Sequence, residues 1–389
     1  MLISITYITF SGLLFGYLCK KIKFPSLFGM ILAGIIIGPH VLNLIDPSIL
    51  NISTEIRKIA LIIILIRAGL KLDFEDLKKV GRPAILMCFL PATFEVLGMI
   101  ILAPRLLNIS VLEAAVLGAV IGAVSPAVIV PRMIKLIDEG YGTKKGIPQM
   151  ILAGASVDDV FVIVLFTTFT SLAQGGSVSV RSFVNIPISI VLGVAIGLFV
   201  GYVLVLYFSK FHMRDSVKVI IVLGVSFVLT FIEDKWGYLI PFASLIAVMA
   251  LGTMIKRRKQ ELAVRLSSKY DKLWVVAEIF LFVLVGASVE IGSLKSAGIS
   301  AVILILGVLI FRMAGVFVCL IGTKLNSKEK LFCMLAYMPK ATVQAAIGGL
   351  PLAMGLACGS IVLTVSVVAI MLTAPLGAFA IDLTYKRYL

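Results

Sequence analysis

Residues 149–172 read QMILAGASVDDVFVIVLFTTFTSL, an apolar run interrupted only by the adjacent carboxylates of Asp158 and Asp159. A run of this length is long enough to cross a hydrocarbon core of about 30 Å. A charge at the bilayer centre costs about 2.5–3.5 kcal/mol on insertion scales, so such residues need a reason to be there. The stretch therefore predicts a membrane helix built around an acidic pair.

The acidic pair suits ion exchange. Neighbouring residues on a helix point about 100° apart, so one carboxylate can face an ion cavity while the other supports it. Two close carboxylates in a low dielectric resist double ionisation, which favours a bound proton on one of them. Carboxylates are also ligands for small, hard cations, so proton and cation compete for one site. A structural pair, pore-facing or salt-bridged, is the alternative.

The whole chain has the composition of a membrane protein. Of 389 residues, 60% are apolar, against about 45–50% in soluble domains, and the mean hydropathy is +1.13. The apolar residues fall into 13 blocks, which predicts an all-α polytopic membrane protein with 13 transmembrane helices. The five cysteines lack metal or disulfide spacing, and we expect no cofactor.

The basic residues give an orientation. The net charge of +15 is spread over short loops, which argues against a nucleic-acid partner. Loops on one side of the 13 blocks hold 26 Lys and Arg residues, and those on the other side hold 6. The positive-inside rule then places the N-terminus outside and the C-terminus in the cytoplasm, in the cytoplasmic (inner) membrane. The basic run 256–259 could contact anionic membrane lipid, although charge in a solvated loop is the simpler account.

Two blocks contain prolines that predict broken helices. Pro126 lies in VSPAVIVP and Pro339 in MPKATVQ, and proline removes a helix donor and clashes with the preceding turn. The freed carbonyls near Val124 and Ser125 could ligate a cation. A simple proline kink is the alternative at each site. The units that carry the two prolines are seven blocks apart, so they enter the membrane in opposite directions, as in an inverted repeat with two crossed discontinuous helices.

Further charges accompany these breaks. Arg312 lies inside an apolar run and needs a carboxylate partner, for which Glu95 in the mirror-related block is the candidate. A purely structural ion pair is an equal alternative. Lys340, followed by Thr342 and Gln344, could balance charge at the half-helix ends.

The segments that carry these residues resemble the cation:proton antiporter superfamily. The chain looks most similar to sodium/proton antiporters of its second group, especially the NHA-type branch. The resembling segments are GAVSPAVIVPRM (122–133), EGYGTKKGIP (139–148), AGASVDDV (153–160), MPKATVQAAIG (338–348) and, more weakly, IRAGLKLD (66–73).

The resemblance implies an NhaA/NapA-like antiporter fold and a homodimer that works by an elevator mechanism. The core, ion-translocating domain would be residues 83–172 and 298–381. Residues 2–72 and 187–255 would form the dimerisation scaffold, with a linker helix at 273–289.

The resemblance also assigns site residues. Asp159 matches the family's ion-binding aspartate, Asp158 lies beside it, and Ser125 is similar to a ligand position. Arg312 matches a lysine of many electrogenic members, and in this branch it is arginine paired with a glutamate that matches Glu95. Because arginine does not cycle protons, we expect electroneutral exchange of Na+ or Li+ for H+.

Other functions stay open at this point. A K+/H+ antiporter of the same superfamily is the nearest, although no nucleotide-binding regulatory domain is expected after Arg387. A Na+-coupled solute symporter on a related fold and a channel are less consistent with an acidic pair and paired broken helices. An intramembrane aspartyl protease needs aspartates on different helices, whereas these are consecutive, so we expect no enzyme.

Overall fold

The computed structural model describes residues 1–71, 81–174, 180–236, 243–289 and 291–389, and these ranges are helical with connecting loops. The helices in chain order are α1 (Leu2–Lys21), α2 (Ser26–Ile37), α3 (Pro47–Asn51), α4 (Ser53–Lys71), α5 (Arg82–Met87), α6 (Leu90–Leu107), α7 (Val111–Ile121), α8 (Pro126–Asp138), α9 (Ile147–Ala173), α10 (Val180–Lys210), α11 (Asp215–Trp236), α12 (Ser244–Arg258), α13 (Gln260–Ala287), α14 (Ile291–Cys319), α15 (Ser327–Ala336), α16 (Thr342–Ile347), α17 (Leu350–Ala353) and α18 (Gly359–Tyr388).

Eight stretches of the described residues are long and apolar enough to cross a membrane. They are Leu2–Lys21, Arg82–Leu107, Val111–Asp138, Ile147–Ala173, Val191–Lys210, Asp215–Trp236, Gly298–Cys319 and Gly359–Tyr388. The predicted all-α, multi-pass architecture is therefore confirmed, while the number of 13 spans stays a prediction.

The described chain forms two compact units. The first comprises Met1–Arg57, Glu75–Gln174 and Ile279–Leu389, and the second Lys58–Phe74 and Gly175–Glu278, each over its described residues. The first unit contains both segments predicted to form the ion-translocating core. Residues 72 and 73 of the IRAGLKLD segment, and residues 237–242 of the predicted scaffold, lie outside the described residues.

The first unit contains two interrupted helices. Residues 122–125 separate α7 from α8, and Pro126 occupies the first turn of α8, where its missing N–H leaves no helix bond unmade. Residues 337–341, which include Pro339, separate α15 from α16. The N–H of Ser125 donates to the carbonyl oxygen of Pro339 at 2.8 Å, so the two interruptions are in direct contact.

Each interrupted helix begins with a capping box. Ser110 and Glu113 exchange side chain to backbone hydrogen bonds at the start of α7, and Asn326 and Glu329 do the same at the start of α15. Such boxes satisfy N–H groups that a helix start leaves without partners. The sequence contains the signal for both boxes, a Ser or Asn three residues before a Glu.

The helix predicted at 273–289 is longer than expected, because α13 begins at Gln260. Its first turns, QELAVRLSSKYDK, mix charged and apolar residues. The predicted helix began at residue 273 because the continuous apolar block begins there. The mixed residues before it still form helix, as in an amphipathic helix at a membrane surface.

Candidate functional site

The acidic pair lies in the middle of α9, buried in the first unit. Asp158 is 0% exposed and Asp159 is 7% exposed. The Oδ2 atom of Asp158 accepts hydrogen bonds from the N–H of Val124 at 2.8 Å and from Nη2 of Arg312 at 3.0 Å. Asp158 thus connects the first helix interruption to a buried cation.

Arg312, from α14, lies between two carboxylates. Its Nη1 donates to Oε2 of Glu95 at 2.5 Å, and its Nη2 donates to Asp158. The predicted pair with Glu95 is therefore present, and the bond to Asp158 is an addition that the sequence did not predict. Because the guanidinium is 1% exposed, its charge is compensated inside the protein, as a buried cation requires.

Two backbone carbonyls and an aromatic ring hold the same guanidinium. Its Nε donates to the carbonyl of Tyr337 at 2.6 Å, and Nη1 also donates to the carbonyl of Gly122. The ring centroid of Tyr337 lies 5.4 Å from Cζ of Arg312, within the range of a cation–π contact. Arg312 therefore bonds both helix interruptions, one through each carbonyl.

Lys340, in the second interruption, shares the carboxylate of Glu95. Its Nζ lies 2.5 Å from Oε2 of Glu95, the oxygen that Arg312 also contacts. Its backbone N–H donates to Oγ1 of Thr373 at 2.9 Å. The sequence predicts that Lys340 balances charge at the half-helix ends, and the charge that its ammonium group contacts directly is the carboxylate of Glu95.

The backbone carbonyls of the first interruption are largely bonded. The carbonyl of Ser125 accepts from the N–H groups of Val128 and Ile129, at 3.2 Å each. Nε2 of Gln344 donates to the carbonyls of Ile121 and Ala123, at 3.1 and 2.8 Å. The expectation of a free carbonyl at Ser125 is therefore wrong, because the first turn of α8 uses that oxygen. Among the described residues, no hydrogen bond ends on the carbonyl of Val124.

Several side-chain oxygens near the interruptions are buried without a hydrogen-bond partner in the described part of the chain. They are Oγ of Ser125, Oδ1 of Asp158, Oδ1 of Asp159, Oγ1 of Thr342 and Oε1 of Gln344. A buried unpaired polar atom costs about 1–3 kcal/mol, so the presence of several such atoms needs an explanation. Oxygen atoms of this kind are what a small, hard cation binds.

The five buried charges around the two interruptions sum to minus one. Asp158, Asp159 and Glu95 are balanced by Arg312 and Lys340, all of them at most 7% exposed. Among the described residues, no hydrogen bond or ion pair is made by the carboxylate of Asp159. The uncompensated charge is thus at Asp159. Within the described ranges, no group of three or more His, Cys, Asp or Glu side chains forms a metal cluster.

Sequence reasoning missed Tyr337, which fits into the site from the second interruption. Its hydroxyl donates to the carbonyl of Met87 at 3.4 Å and lies directly against Gly154, where a Cβ atom would collide with it. Gly154 is one helical turn before Asp158 on α9. A glycine in AGASVDD, four residues before the first aspartate, was the available signal, but its partner could not be read from the sequence.

The described core contains an acidic pair inside apolar helices, beside two interrupted helices that touch. This is the architecture of secondary transporters with discontinuous helices, in which substrate ions bind at the interruptions.

The chain belongs to the sodium/hydrogen exchanger family, because the model described as "Sodium/hydrogen exchanger, transmembrane" matches residues 8–386. The predicted superfamily is thereby confirmed.

Known relatives agree with this family, and a solved structure shares the fold. The chain is 33% identical over 386 residues to sodium/hydrogen exchanger 9B2 of Homo sapiens, covering 94% of this chain and 70% of the relative. It is 32% identical to human sodium/hydrogen exchanger 9B1, covering 100% of this chain and 78% of the relative. The sodium proton antiporter MjNhaP1 of Methanocaldococcus jannaschii matches with a TM-score of 0.86 at 22% identity, covering 100% of this chain and 99% of that one.

Proposed function

We propose that the protein is a secondary active antiporter that exchanges Na+ or Li+ for H+. The observation that carries the proposal is the asymmetry of the acidic pair. Asp158 is bound by Arg312 and by the N–H of Val124, whereas Asp159 has a buried oxygen without a hydrogen-bond partner. A buried, ionised carboxylate without a hydrogen-bond partner is stabilised by binding either a proton or a cation. Binding of one lowers its affinity for the other.

Asp159 is the group that binds the transported ion. Ser125, Thr342 and Gln344 contribute neutral oxygens, which are unpartnered and buried, and the Val124 carbonyl is a further candidate. Asp158 keeps the site negative without itself exchanging protons, because Arg312 compensates it. Proton and Na+ thus compete at Asp159, and each exchange carries one ion in each direction.

Exchange is electroneutral. The buried charges sum to minus one while Asp159 is ionised, and either one proton or one Na+ brings them to zero. Arg312 stays protonated throughout, and Lys340 stays paired with Glu95 at 2.5 Å. The site therefore has the same net charge when it carries Na+ in one direction and when it carries H+ in the other.

Alternating access moves the site between the two membrane faces by an elevator mechanism. The core would be residues 83–172 and 298–381, the scaffold 2–72 and 187–255, and the linker helix the one predicted at 273–289. The 13 spans form an inverted repeat with crossed interruptions at Pro126 and Pro339, in a homodimer of the cytoplasmic membrane. The N-terminus is outside and the C-terminus cytoplasmic, as the distribution of Lys and Arg supports.

Proteoliposomes that contain a pH-sensitive dye test the function. Na+ and Li+ added outside should discharge an imposed pH gradient in wild type, and Asp159→Asn should abolish the response. K+ in place of Na+ separates this proposal from a K+/H+ antiporter.

A matched control is Asp138→Asn, the same chemical change at an exposed residue that ends α8. It should leave exchange within about twofold of wild type, as expected for a surface substitution. Undiminished exchange in Asp159→Asn would rule out the assignment of the ion-binding residue.

A further inference from the structure

The second helix interruption contains a buried backbone donor that is bonded from another helix. Lys340 lies between α15 and α16 and belongs to neither of them. Its N–H donates to Oγ1 of Thr373, on α18, at 2.9 Å. Both residues are 0% exposed, and a buried backbone N–H needs a hydrogen-bond partner. Thr373 therefore satisfies a donor at the point where the helix is broken.

Thr373 uses its hydroxyl group differently from three other hydroxyl residues of α18. Thr364, Ser366 and Thr384 each donate to the carbonyl four residues earlier in the same helix. That local bond is the usual choice of a threonine or serine inside a membrane helix. The hydroxyl oxygen of Thr373 instead accepts from a residue that is 33 positions away in the chain. Its contact is thus tertiary, between α18 and the second interruption.

Gly377 brings the interruption close enough for this bond. It follows Thr373 by one helical turn, so the two residues lie on the same face of α18. A Cβ atom at Gly377 would collide with the ring of Pro339. The glycine therefore allows the proline ring to lie directly against the helix backbone. The next residue, Lys340, is then within reach of the threonine.

The helix α9 makes a matching contact with the first interruption. Oδ2 of Asp158 accepts from the N–H of Val124 at 2.8 Å, and these residues are 34 positions apart. One turn later on α9, a methyl group of Val162 lies 3.4 Å from the place where a Cβ atom of Gly122 would be. Each interruption is thus held by a backbone N–H bonded to a side chain and by a close contact one turn further along that helix.

The two contacts differ in charge. The acceptor on α9 is a carboxylate, whereas the acceptor on α18 is a neutral hydroxyl. The next residue is Asp159 on α9 but Ala374 on α18, where it is 0% exposed. The acidic pair of the first contact therefore corresponds to two uncharged residues in the second. The ammonium group beside these uncharged residues, that of Lys340, bonds Glu95 at 2.5 Å.

We propose that Thr373 is a positioning residue that holds Lys340 against Glu95, as the neutral counterpart of Asp158. By fixing the backbone of Lys340, it fixes the base of the side chain whose ammonium group pairs with Glu95. Glu95 in turn pairs with Arg312, which bonds Asp158. Thr373 thereby supports the geometry of the charged network around the ion site. Its effect on Na+ rests on the proposed antiport function, whereas its action on the network does not.

Exchange in proteoliposomes tests the effect on Na+. Thr373→Val keeps the shape of the side chain and removes the hydrogen-bond acceptor. It should raise the Na+ concentration for half-maximal exchange about fivefold, the effect of one buried hydrogen bond on a preorganised site. The maximal rate should stay within about twofold, as for a residue that does not touch the ion. Thr373→Ser keeps the hydroxyl and should restore half-saturation to within about twofold of wild type.

Thr364→Val is the matched control for exchange. It makes the same change on the same helix, at a residue that is 3% exposed and whose hydroxyl bonds its own helix. It should leave half-saturation within about twofold of wild type, because the bond that it removes is local. An equal rise in Thr364→Val, or a rise in Thr373→Ser as large as that in Thr373→Val, would overturn the positioning role.

A double-mutant cycle of thermal unfolding tests the network without transport. Thr373 and Glu95 each bond Lys340, so the losses of Tm in Thr373→Val and Glu95→Gln should sum to more than the loss in the double variant. Thr364→Val combined with Glu95→Gln should be additive. Additive losses for Thr373→Val would show a purely local bond and overturn the proposal, whether or not the wild type exchanges Na+. Absence of exchange in wild type would instead refute the antiport function. Should Thr373→Val fail to fold, Thr373→Ala replaces it in both measurements.

Discussion

At the scale of single residues, Asp158 and Asp159 differ in what surrounds them. Asp158 accepts bonds from a guanidinium and from a backbone N–H, so its charge is stabilised. Asp159 has a buried oxygen with no partner within the described chain, so its charge is unfavourable until an ion binds. Adjacent, chemically identical side chains are thereby suited to a structural and a binding role.

This difference predicts opposite effects on stability in sodium-free buffer at alkaline pH, where both carboxylates are most readily ionised. Asp159→Asn should unfold at a temperature equal to or above that of wild type, because an unpaired amide is cheaper to bury than an unpaired carboxylate. Asp158→Asn should lose about 2–3 kcal/mol, since Arg312 then lacks one of its buried partners. Thermal unfolding in detergent measures both.

Sodium provides the control for that comparison. Added Na+ should raise Tm of wild type, because a ligand that binds only the folded state stabilises it, and it should not raise Tm of Asp159→Asn. If Asp159→Asn is the less stable of the two variants, the asymmetry of the pair is not as described.

A second prediction concerns the buried pair of Glu95 and Arg312. Arg312→Gln should destabilise by about 3–5 kcal/mol, because removing one partner leaves buried charges uncompensated. The double variant Glu95→Gln with Arg312→Gln should be less destabilised than the sum of the two single variants. A double-mutant cycle of unfolding free energies gives this coupling.

The exposed pair of Arg132 and Asp382 is the comparison for that cycle. Its side chains are 21% and 47% exposed, at 3.2 Å, and such pairs contribute about 0–1 kcal/mol. A coupling energy for Glu95 and Arg312 no larger than that of the exposed pair would contradict the buried network.

At the scale of residues, the sequence predicted which charged side chains pair, but it did not predict the geometry of their contacts. An arginine inside an apolar run must find a carboxylate, and Glu95 was the candidate because it lies in the mirror-related block, so the pairing followed from charge together with the predicted repeat. That Arg312 also bonds Asp158 and the carbonyl of Tyr337 did not follow, because both contacts depend on where α9 and the second interruption cross. The prediction of a free carbonyl at Ser125 was wrong for a local reason. The helix α8 begins at Pro126, and its first turn bonds that oxygen.

At the scale of helices, the two interrupted helices have equivalent starts with different tertiary contacts. Both begin with a capping box. Of the two glutamates, only Glu329 also bonds a lysine among the residues that the structure describes, with Nζ of Lys145 at 2.9 and 2.8 Å from its two oxygens. Lys145 belongs to the 3₁₀ turn immediately before α9, so Glu329 links α15 to the helix that carries the acidic pair.

The two capping boxes therefore supply a matched control. Glu113→Gln should cost at most about 0.5 kcal/mol, because glutamine also serves in a capping box. Glu329→Gln should cost about 1–2 kcal/mol, since it also loses a charge-assisted pair in a half-buried setting. Unfolding free energies of the two variants check the difference, and equal values would mean that the bond to Lys145 adds nothing.

The helix interruptions were predictable because a single proline in the sequence disfavours a continuous helix at that point. Not every helix start has such a local signal. Pro126 and Pro339 lie at the two interruptions that touch. The early start of α13 at Gln260 was missed, since no single residue in its mixed first turns signals a membrane helix. Contacts such as Ser125 with Pro339 join residues far apart in the chain, so no local pattern contains them.

At the scale of the whole molecule, we expect the net charge of the five buried groups around the interruptions to determine the response to membrane potential. Three carboxylates and two cations leave one net negative charge at the site, and one monovalent ion neutralises it. A site loaded with Na+ or with H+ is then uncharged in either direction. A potential across the membrane does about 2.3 kcal/mol of work per elementary charge per 100 mV, and on a neutral loaded site it does none.

Exchange by the whole protein should consequently be insensitive to voltage. In proteoliposomes whose membrane potential is clamped with K+ and valinomycin, a pH gradient should drive Na+ uptake at initial rates that agree within about twofold at 0 and at −100 mV. If each cycle moved one net charge, the potential of 100 mV would instead add about 2.3 kcal/mol to the driving force. The alternative is that Lys340, bonded to Glu95 beside Arg312, releases a second proton in each cycle. Sodium uptake driven by potential alone, lost in Lys340→Gln, would identify that lysine as the second carrier and overturn one-for-one exchange. Arg312 cannot give up its proton at accessible pH. The choice between one proton and two protons per cycle therefore depends on Lys340, the other buried cation of the described site.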